Sequence, residues 1–515
     1  MLELTYIGHA GWVCKSKNFK CLFDPWISKE GAFFKQWFPF PDNSHIDTLE
    51  VFKDLDFLYI SHAHQDHFCE ETLRSLDRKT KILIPKFKDK TLFSKLKELG
   101  FKKVLQVNDN QELTIKDIKI RIIKDEGHLD NDSCILIDNG KSKILNLNDC
   151  HADFSKLKKE VGPVDVLLLQ ASSALWWPCT YAYDEKEMQE RGKTKRNNIL
   201  KRALKYSQFL EAKMTIPNAG PPIFNDKNME KWNFNRDKDW NPFCLHDKSR
   251  DFLIENGVNA EFLIPGDKIK IEESIEFLID EDRRKEIYSN PDDSIKLQLE
   301  KIENSVKKEF LASEAEKLEM IAAFSKQLSE IKRFSKFYVQ KIDFPVLFDF
   351  KEIGKWILDF SKEKVFIEYN SQEYNYSFTL DPGAIVQLFK NKSIDFEHYF
   401  LGCDFKCSRN PDDYNEYLFA MLKHFDTRRF MNSEFLYGEK SDVLDELFVL
   451  EHEGESYEVQ KYCPHMYADL EQIGYVDEDR NFVCPLHGWK FNLESGECTD
   501  KKSYCIKVKK VKEKN

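Results

Sequence analysis

Seven residues constrain this chain more than any others: Ser61-His62-Ala63-His64-Gln65-Asp66-His67. They follow the apolar run 57–60, which reads as a strand. Three histidines and one aspartate so close together at a strand end converge only if the chain turns sharply there. A lone histidine is usually a satisfied structural residue. A packed cluster of imidazoles and a carboxylate is instead a donor set that suits zinc and iron.

The residues around that cluster read as α/β. The runs 4–7, 20–23, 57–60, 81–84, 118–123, 134–137, 143–147 and 164–169 are short and rich in β-branched or aliphatic residues, and turn residues follow most of them. Helical patterns lie at 91–99 and 197–212. Residues 1–283 are therefore expected to form one α/β domain. From Ser294 the period changes. Ile295, Leu299, Ile302, Val306 and Phe310, then Leu318, Ile321, Phe324, Leu328 and Ile331, recur every three or four residues. This predicts a helical linker over 284–335, with Pro291 and the residues after it as the start signal. Residues 336–430 read as an α+β unit, with strand-like alternation at 365–369 and 374–380 and a helix from Pro382, but with no chemical motif. Residues 431–515 read as a small β domain of short strands and turns.

That last domain carries a second donor set. Cys463-Pro464-His465 is followed by Cys484-Pro485-Leu486-His487-Gly488-Trp489. Two thiolates and two imidazoles in two loops can hold a [2Fe-2S] cluster asymmetrically, with the cysteines on one iron and the histidines on the other. A zinc ion held by the same four residues is the plainer alternative. The remaining cysteines, Cys403, Cys407, Cys498 and Cys505 among them, read as core or surface thiols. An odd total of 13 in a long chain is no disulfide framework.

Composition narrows the classes. With 41% apolar residues the chain can bury sizeable cores. A net charge of -11 excludes a general nucleic-acid binder. No apolar run reaches the roughly 18 residues that span a bilayer. The first strand, with Lys15, Lys17 and Lys20 close behind it, does not read as a signal peptide, so a cytoplasmic location is expected.

The seven-residue cluster resembles the HxHxDH signature of the metallo-β-lactamase superfamily. Gly8-His9-Ala10 and Leu22-Phe23-Asp24-Pro25-Trp26 resemble the opening of its lactonase- and phosphodiesterase-like subgroup. The resemblance implies an αββα sandwich. It implies that His62 and His64 bind one metal and that Asp66 and His67 bind, or lie beside, a second. His128 after Gly127 matches the next histidine ligand, and Asp149 matches the aspartate that can bridge two metals. His246 is the choice for the final histidine, with His151 as its competitor. His9 is expected to stand behind the ligands or to be structural. One metal or two stays open.

The C-terminal pairs resemble the Rieske family, in the form that lacks the extra disulfide cysteines of respiratory complexes. A Rieske cluster moves single electrons and has no use in hydrolysis. Its presence therefore makes iron the expected N-terminal metal, mononuclear or dinuclear, with zinc if the chain is a hydrolase. The combination resembles the CMP-N-acetylneuraminate hydroxylases and the bacterial UDP-N-acetylmuramate hydroxylases. Cys484–Asn492, Asp412–Phe419 and Ala219-Gly220-Pro221-Pro222 add to that resemblance, although the vertebrate enzyme carries its Rieske domain at the other end. The resemblance implies a monooxygenase that converts the N-acetyl group of a nucleotide sugar to N-glycolyl. It would draw electrons from an external reductase, ferredoxin or cytochrome. Arg191, Lys193, Lys195 and Arg196, in the densest basic stretch of the domain, are candidates for the substrate's phosphates, against the alternative of a solvated helix start. Trp176, Trp177 and Tyr181 could line the pocket or simply pack. The middle region is open to two uses, a homo-oligomer contact or part of a substrate channel. Two competing functions are a metallohydrolase with a regulatory redox module and a non-catalytic electron carrier or sensor. A third is an oxygenase acting on something other than a sugar.

Overall fold

A computed structural model describes residues 1–125, 132–305, 312–391, 395–423, 425, 444–464, 468–485, 488–499 and 504–511, with side chains of 303–305 left aside. The chain divides into two units, one of residues 1–174 and 189–307, the other of residues 175–188 and 308–515.

Alternation builds the first unit. Leu2, Leu4 and Tyr6 of strand Leu2–Gly8 point to one face, as do Trp12 and Cys14 of Gly11–Lys15, Cys21 and Phe23 of Lys20–Phe23, and Phe57 and Tyr59 of Phe57–Tyr59. These meet Ile118, Ile120, Ile122, Ile135, Ile137 and Ile144 of a second sheet in one core. The intervening residues Ile7, Val13, Leu22 and Leu58 point the other way. They pack with Leu73, Leu92 and Leu96 of helices Glu70–Arg74 and Thr91–Glu98. A period of two thus gives each strand two buried faces.

The first sheet has eight strands, in the order Ile275–Leu278, Lys268–Ile271, Leu2–Gly8, Gly11–Lys15, Lys20–Phe23, Phe57–Tyr59, Lys81–Pro85, Lys103–Val107. The second has six, in the order Met214–Asn218, Val166–Gln170, Lys143–Asn148, Ser133–Asp138, Ile118–Lys124, Glu112–Ile115. Helix Glu185–Phe209 covers the second sheet through Ser207, bonded to Thr215 at 3.0 Å, and Arg202, which donates to Gln170 Oε1 at 3.0 Å. The result is the αββα sandwich expected.

The second unit holds a five-stranded sheet in the order Phe366–Glu368, Gly354–Leu358, Val346–Phe350, Tyr376–Leu380, Phe405–Arg409. Helix Glu314–Phe334, opened by a Ser313/Glu316 capping box, lays Phe324 over Phe348, Phe350 and Phe366. Two three-stranded sheets follow: Leu447–His452 with Glu455–Gln460 and Val508–Lys510, and Tyr475–Val476 with Asn481–Cys484 and Trp489–Asn492.

The helix pair expected as one linker divides its loyalties. Helix Pro291–Ser305 buries Ile295 and Ile302 with Phe38, Phe40, Ile223 and Leu245 of the first unit, whereas Glu314–Phe334 belongs to the second. Trp176 and Tyr181 also belong to the second unit. Trp176 packs on Phe400, Phe405 and Phe419, and Tyr181 forms a bridge with Cys407, so both are core residues there. Among the described residues no helix is long and apolar enough to cross a membrane.

Candidate metal centres

The turn that the cluster requires is present. His67 N and Phe68 N donate to His64 O at 3.0 and 2.6 Å, folding the segment back directly after the strand end. His62 Nε2 and His64 Nδ1 then lie 2.9 Å apart. With Asp149, which follows the strand Lys143–Asn148, they form a group whose ligand atoms lie within 4.8 Å of one another. His9, Asp66 and His67 form a second such group. Asp149 Oδ1 is also 3.4 Å from His67 Nε2, within reach of both.

Asp24 organises the loop from below. Its carboxylate accepts from Ser61 N at 2.8 Å and Ser61 Oγ at 2.6 Å, and its Oδ2 lies 3.0 Å from His67 Nδ1. A carboxylate on one ring nitrogen fixes the tautomer and aims the other nitrogen, as the outer partners of ligating histidines do in metal sites. Asp132 Oδ1 stands 3.3 Å from His62 Nδ1.

Burial and charge act in opposite directions here. Burial holds the His62 imidazole well below its ordinary range, so its nitrogen is a bare donor. Burial also opposes a charge on His67, but Asp149, Asp66 and Asp24 outweigh it and push that imidazole well above its ordinary range. Burial would raise Asp149, yet His67 and His62 hold it at about 2. Asp66 Oδ1, His67 Nε2 and Asp149 Oδ1 are buried with no hydrogen-bond partner among the described residues. Buried polar atoms are normally satisfied, and nitrogen and carboxylate donors left open in this way fit a metal ion.

His128 is outside the described residues. His246 opens helix His246–Glu255 with its ring 6.4 Å from that of Tyr6, and burial lowers its imidazole to about 4. Neither it nor His151 belongs to the two groups. His9, expected behind the ligands, stands in one.

Two residues of the basic stretch have partners within the domain. Arg196 is buried and donates to the carbonyls of Arg236, Lys238 and Asn241, at 2.9, 2.8 and 3.2 Å. Lys193 pairs with Asp239 at 2.6 Å. A Cβ on Gly192 would come within 2.1 Å of Trp240 O. Helix and loop are clamped together here through Arg196, with Lys193 in an exposed ion pair. Arg191 and Lys195 share the helix and are partly buried.

In the second unit Cys463 and Cys484 are both buried. The backbone of each is hydrogen-bonded, with Cys463 N donating to Ala468 O at 2.9 Å and Cys484 O accepting from Gly488 N at 2.8 Å. His465 and His487 lie outside the described residues. None of the 13 cysteines, all of them described, is in a disulfide. Two buried thiols fit the sulfur side of a [2Fe-2S] cluster.

Comparison with known proteins places names on these regions. Residues 3–194 match the Beta-lactamase superfamily domain, and residues 428–510 match the Rieske [2Fe-2S] domain. Residues 320–439, where no motif is legible in the sequence, match the Rv3818-like, SCP2-like domain. A Mycolicibacterium smegmatis protein named as a Rieske 2Fe-2S iron-sulfur protein is 27% identical over 99% of this chain and 100% of its own length. The cytidine monophosphate-N-acetylneuraminic acid hydroxylase of Xenopus laevis is 30% identical over 42% of this chain and 38% of that enzyme. Among solved structures, CmlA, a diiron β-hydroxylase from Streptomyces venezuelae, is 20% identical over 54% of each chain with a TM-score of 0.37. A structural likeness of that size carries no function with it.

Proposed function

We propose that this chain, which matches the Beta-lactamase superfamily domain over residues 3–194 and the Rieske [2Fe-2S] domain over residues 428–510, is an iron-dependent monooxygenase. Single electrons would enter at the Rieske cluster and be used at the N-terminal metal centre. One observation carries the reading: a one-electron carrier and a nitrogen/carboxylate donor cluster suited to iron share one chain. The reaction takes O₂, two electrons and two protons. It places one oxygen atom in a C–H bond and releases the other as water.

The substrate we propose is the N-acetyl group of a nucleotide sugar, converted to N-glycolyl. Support comes from the sequence likeness to the Xenopus hydroxylase. The electron donor is an external reductase, ferredoxin or cytochrome.

His62 and His64, with His128 as the resemblance implies, would hold one metal. Asp66 and His67 would hold a second, with Asp149 in reach of each. Cys463 and Cys484, with His465 and His487, would hold the cluster. Iron when bound supplies redox-active coordination positions for O₂. The chain's own part is to keep His62 neutral by burial and to present His67 Nε2 by holding Nδ1 against Asp24. It also keeps water out, since His62, Asp66 and His67 are buried.

Elemental analysis after anaerobic purification tests this. About three or four irons per chain with little zinc is the expected result. About two irons with one or two zincs would make the N-terminal centre hydrolytic. With reductant and ¹⁸O₂, the N-glycolyl product should carry one labelled oxygen.

A further inference from the structure

We propose that His9 is itself a metal ligand, completing with Asp66 and His67 the position for which the sequence offers His246. The inference rests on the N-terminal site being a metal centre, and deepens that reading by assigning one of its ligands.

His9 is built into place at some conformational cost. It follows Gly8 at an irregularity in the pairing of strands Leu2–Gly8 and Gly11–Lys15, and its φ of 51° lies in the left-handed region. Non-glycine residues take that conformation where their surroundings hold them in it, in turns as well as at functional sites. Here Tyr6 Oη donates to the His9 carbonyl at 3.1 Å and Ala219 N donates to it at 3.0 Å. Gly8 permits the turn, with a φ of 110° and no room for a Cβ, which would sit 2.8 Å from Asn43 Nδ2. The imidazole is then wedged edge-on against Trp26, ring centres 4.9 Å apart, with its Nε2 2.8 Å from Asp66 Oδ2.

A simple hydrogen bond between His9 and Asp66 explains only part of this. Asp24 accepts at His67 Nδ1, so that nitrogen carries a hydrogen and Nε2 is the one left to face a ligand. Nε2 lies 3.6 Å from Asp66 Oδ2 and 3.4 Å from Asp149 Oδ1 in a buried pocket. Carboxylates so close to a ring nitrogen call for a cation among them, a proton before metal binds or the metal ion itself. Asp66 Oδ1 and His67 Nε2 have no hydrogen-bond partner among the described residues, and a His9–Asp66 hydrogen bond would satisfy neither. A metal ion among the three side chains uses His9 Nε2, His67 Nε2 and an Asp66 oxygen together, and these ligand atoms already lie within 4.8 Å of one another. His246 is buried beside Tyr6 and is outside the group.

The test is metal occupancy of the full chain with its cluster in place, read by anaerobic Fe(II) titration and elemental analysis. The visible and EPR signals of the cluster report folding independently. Wild type should bind two ions beyond the cluster. His9→Ala and His9→Gln should each bind the second ion at least about tenfold more weakly, with the cluster signals unchanged, while His246→Ala retains it. The glutamine keeps a hydrogen-bond donor for Asp66 but is a poor ligand, so it decides the matter if the alanine variant fails to fold. The proposal is overturned if His9→Gln holds both ions as tightly as wild type, or if wild type itself holds only one. Turnover plays no part in this readout. Protein with both ions bound but inactive towards O₂ would sink the oxygenase reading and leave the assignment of His9 intact.

Discussion

The two units solve the same packing problem with different residues. The first fills the space between its sheets mainly with aliphatic side chains, Ile120, Ile135, Ile144 and Val166 among them. The second gathers phenylalanines: the ring of Phe324 lies 4.6 Å from Phe425, 5.2 Å from Phe348 and 5.3 Å from Phe366. The polar groups they bury differ too. In the first unit Asp24, Ser61 and His67 form a chain of hydrogen bonds that ends on nitrogens and oxygens left open for a metal. In the middle of the second unit, Arg409 pairs with Asp412 under the ring of Tyr181, 4.9 Å away, and no group of metal-ligating side chains gathers there among the described residues. Strand ends over an aliphatic sandwich gather candidate ligand atoms, and the aromatic core gathers none among the described residues.

The contrast is broken most readily at its chemical end. His62→Ala should lower turnover by on the order of a thousandfold or more while the Rieske cluster stays reducible. His487→Ala should remove the cluster and leave the N-terminal metal bound. Product from His62→Ala, or loss of both centres in either variant, would end the division of labour between the units. Phe324→Ala tests the scaffold, and should cost about 3–5 kcal/mol in denaturant unfolding of the second unit. A smaller cost would mean that the aromatic core tolerates a hole.

One acid in the second unit has a pH signature. Burial pushes Glu416 up to about 8. With the folded value above the unfolded one, folding favours the protonated acid. Stability from this group is therefore full below about pH 4.5, falls as pH rises through about 8, and then levels off. Glu416→Gln should flatten that slope, worth on the order of a few kcal/mol, and parallel slopes in the two proteins would place Glu416 in water. Asp24→Asn should weaken N-terminal metal binding about 10–100-fold. Unchanged affinity would mean that His67 is oriented by packing alone.

How much of this is legible in the sequence depends on how local each signal is. The cluster 61–67 is contiguous, and its turn is closed by hydrogen bonds within the segment, so its convergence is legible. Asp149 directly follows a strand, but its role is legible only through the family resemblance. Asp24 stands out only through a family resemblance. Its role depends on Ser61, 37 residues away, and no periodicity encodes that distance. The sequence sets His9 behind the ligands because a positive-φ turn, not its neighbours along the chain, aims it at Asp66. The sandwich strands are legible from their runs of aliphatic and β-branched residues. Strand Val346–Phe350, buried at four of its five positions, shows no period that separates it from a buried helix, so only two strands of the five-stranded sheet stand out. The helix pair has the right period, but periodicity does not say which unit each apolar face will join.

The basic stretch on helix Glu185–Phe209 offers the smallest and most discriminating measurement. Charge density there suggests phosphate binding, and the structure uses it for a clamp. Removing Arg196 leaves three carbonyls without their donor, so Arg196→Ala should destabilise the first unit by about 1–3 kcal/mol. Lys193 and Asp239 are 55% and 63% exposed at their side chains. Water and salt screen such a pair, and Lys193→Ala should change stability by no more than about 0.5 kcal/mol. Neither substitution should move KM for a nucleotide sugar. A severalfold rise in KM for Lys193→Ala, with stability unchanged, would return the stretch to the substrate, because only a ligand, and not the exposed ion pair, could then account for the effect.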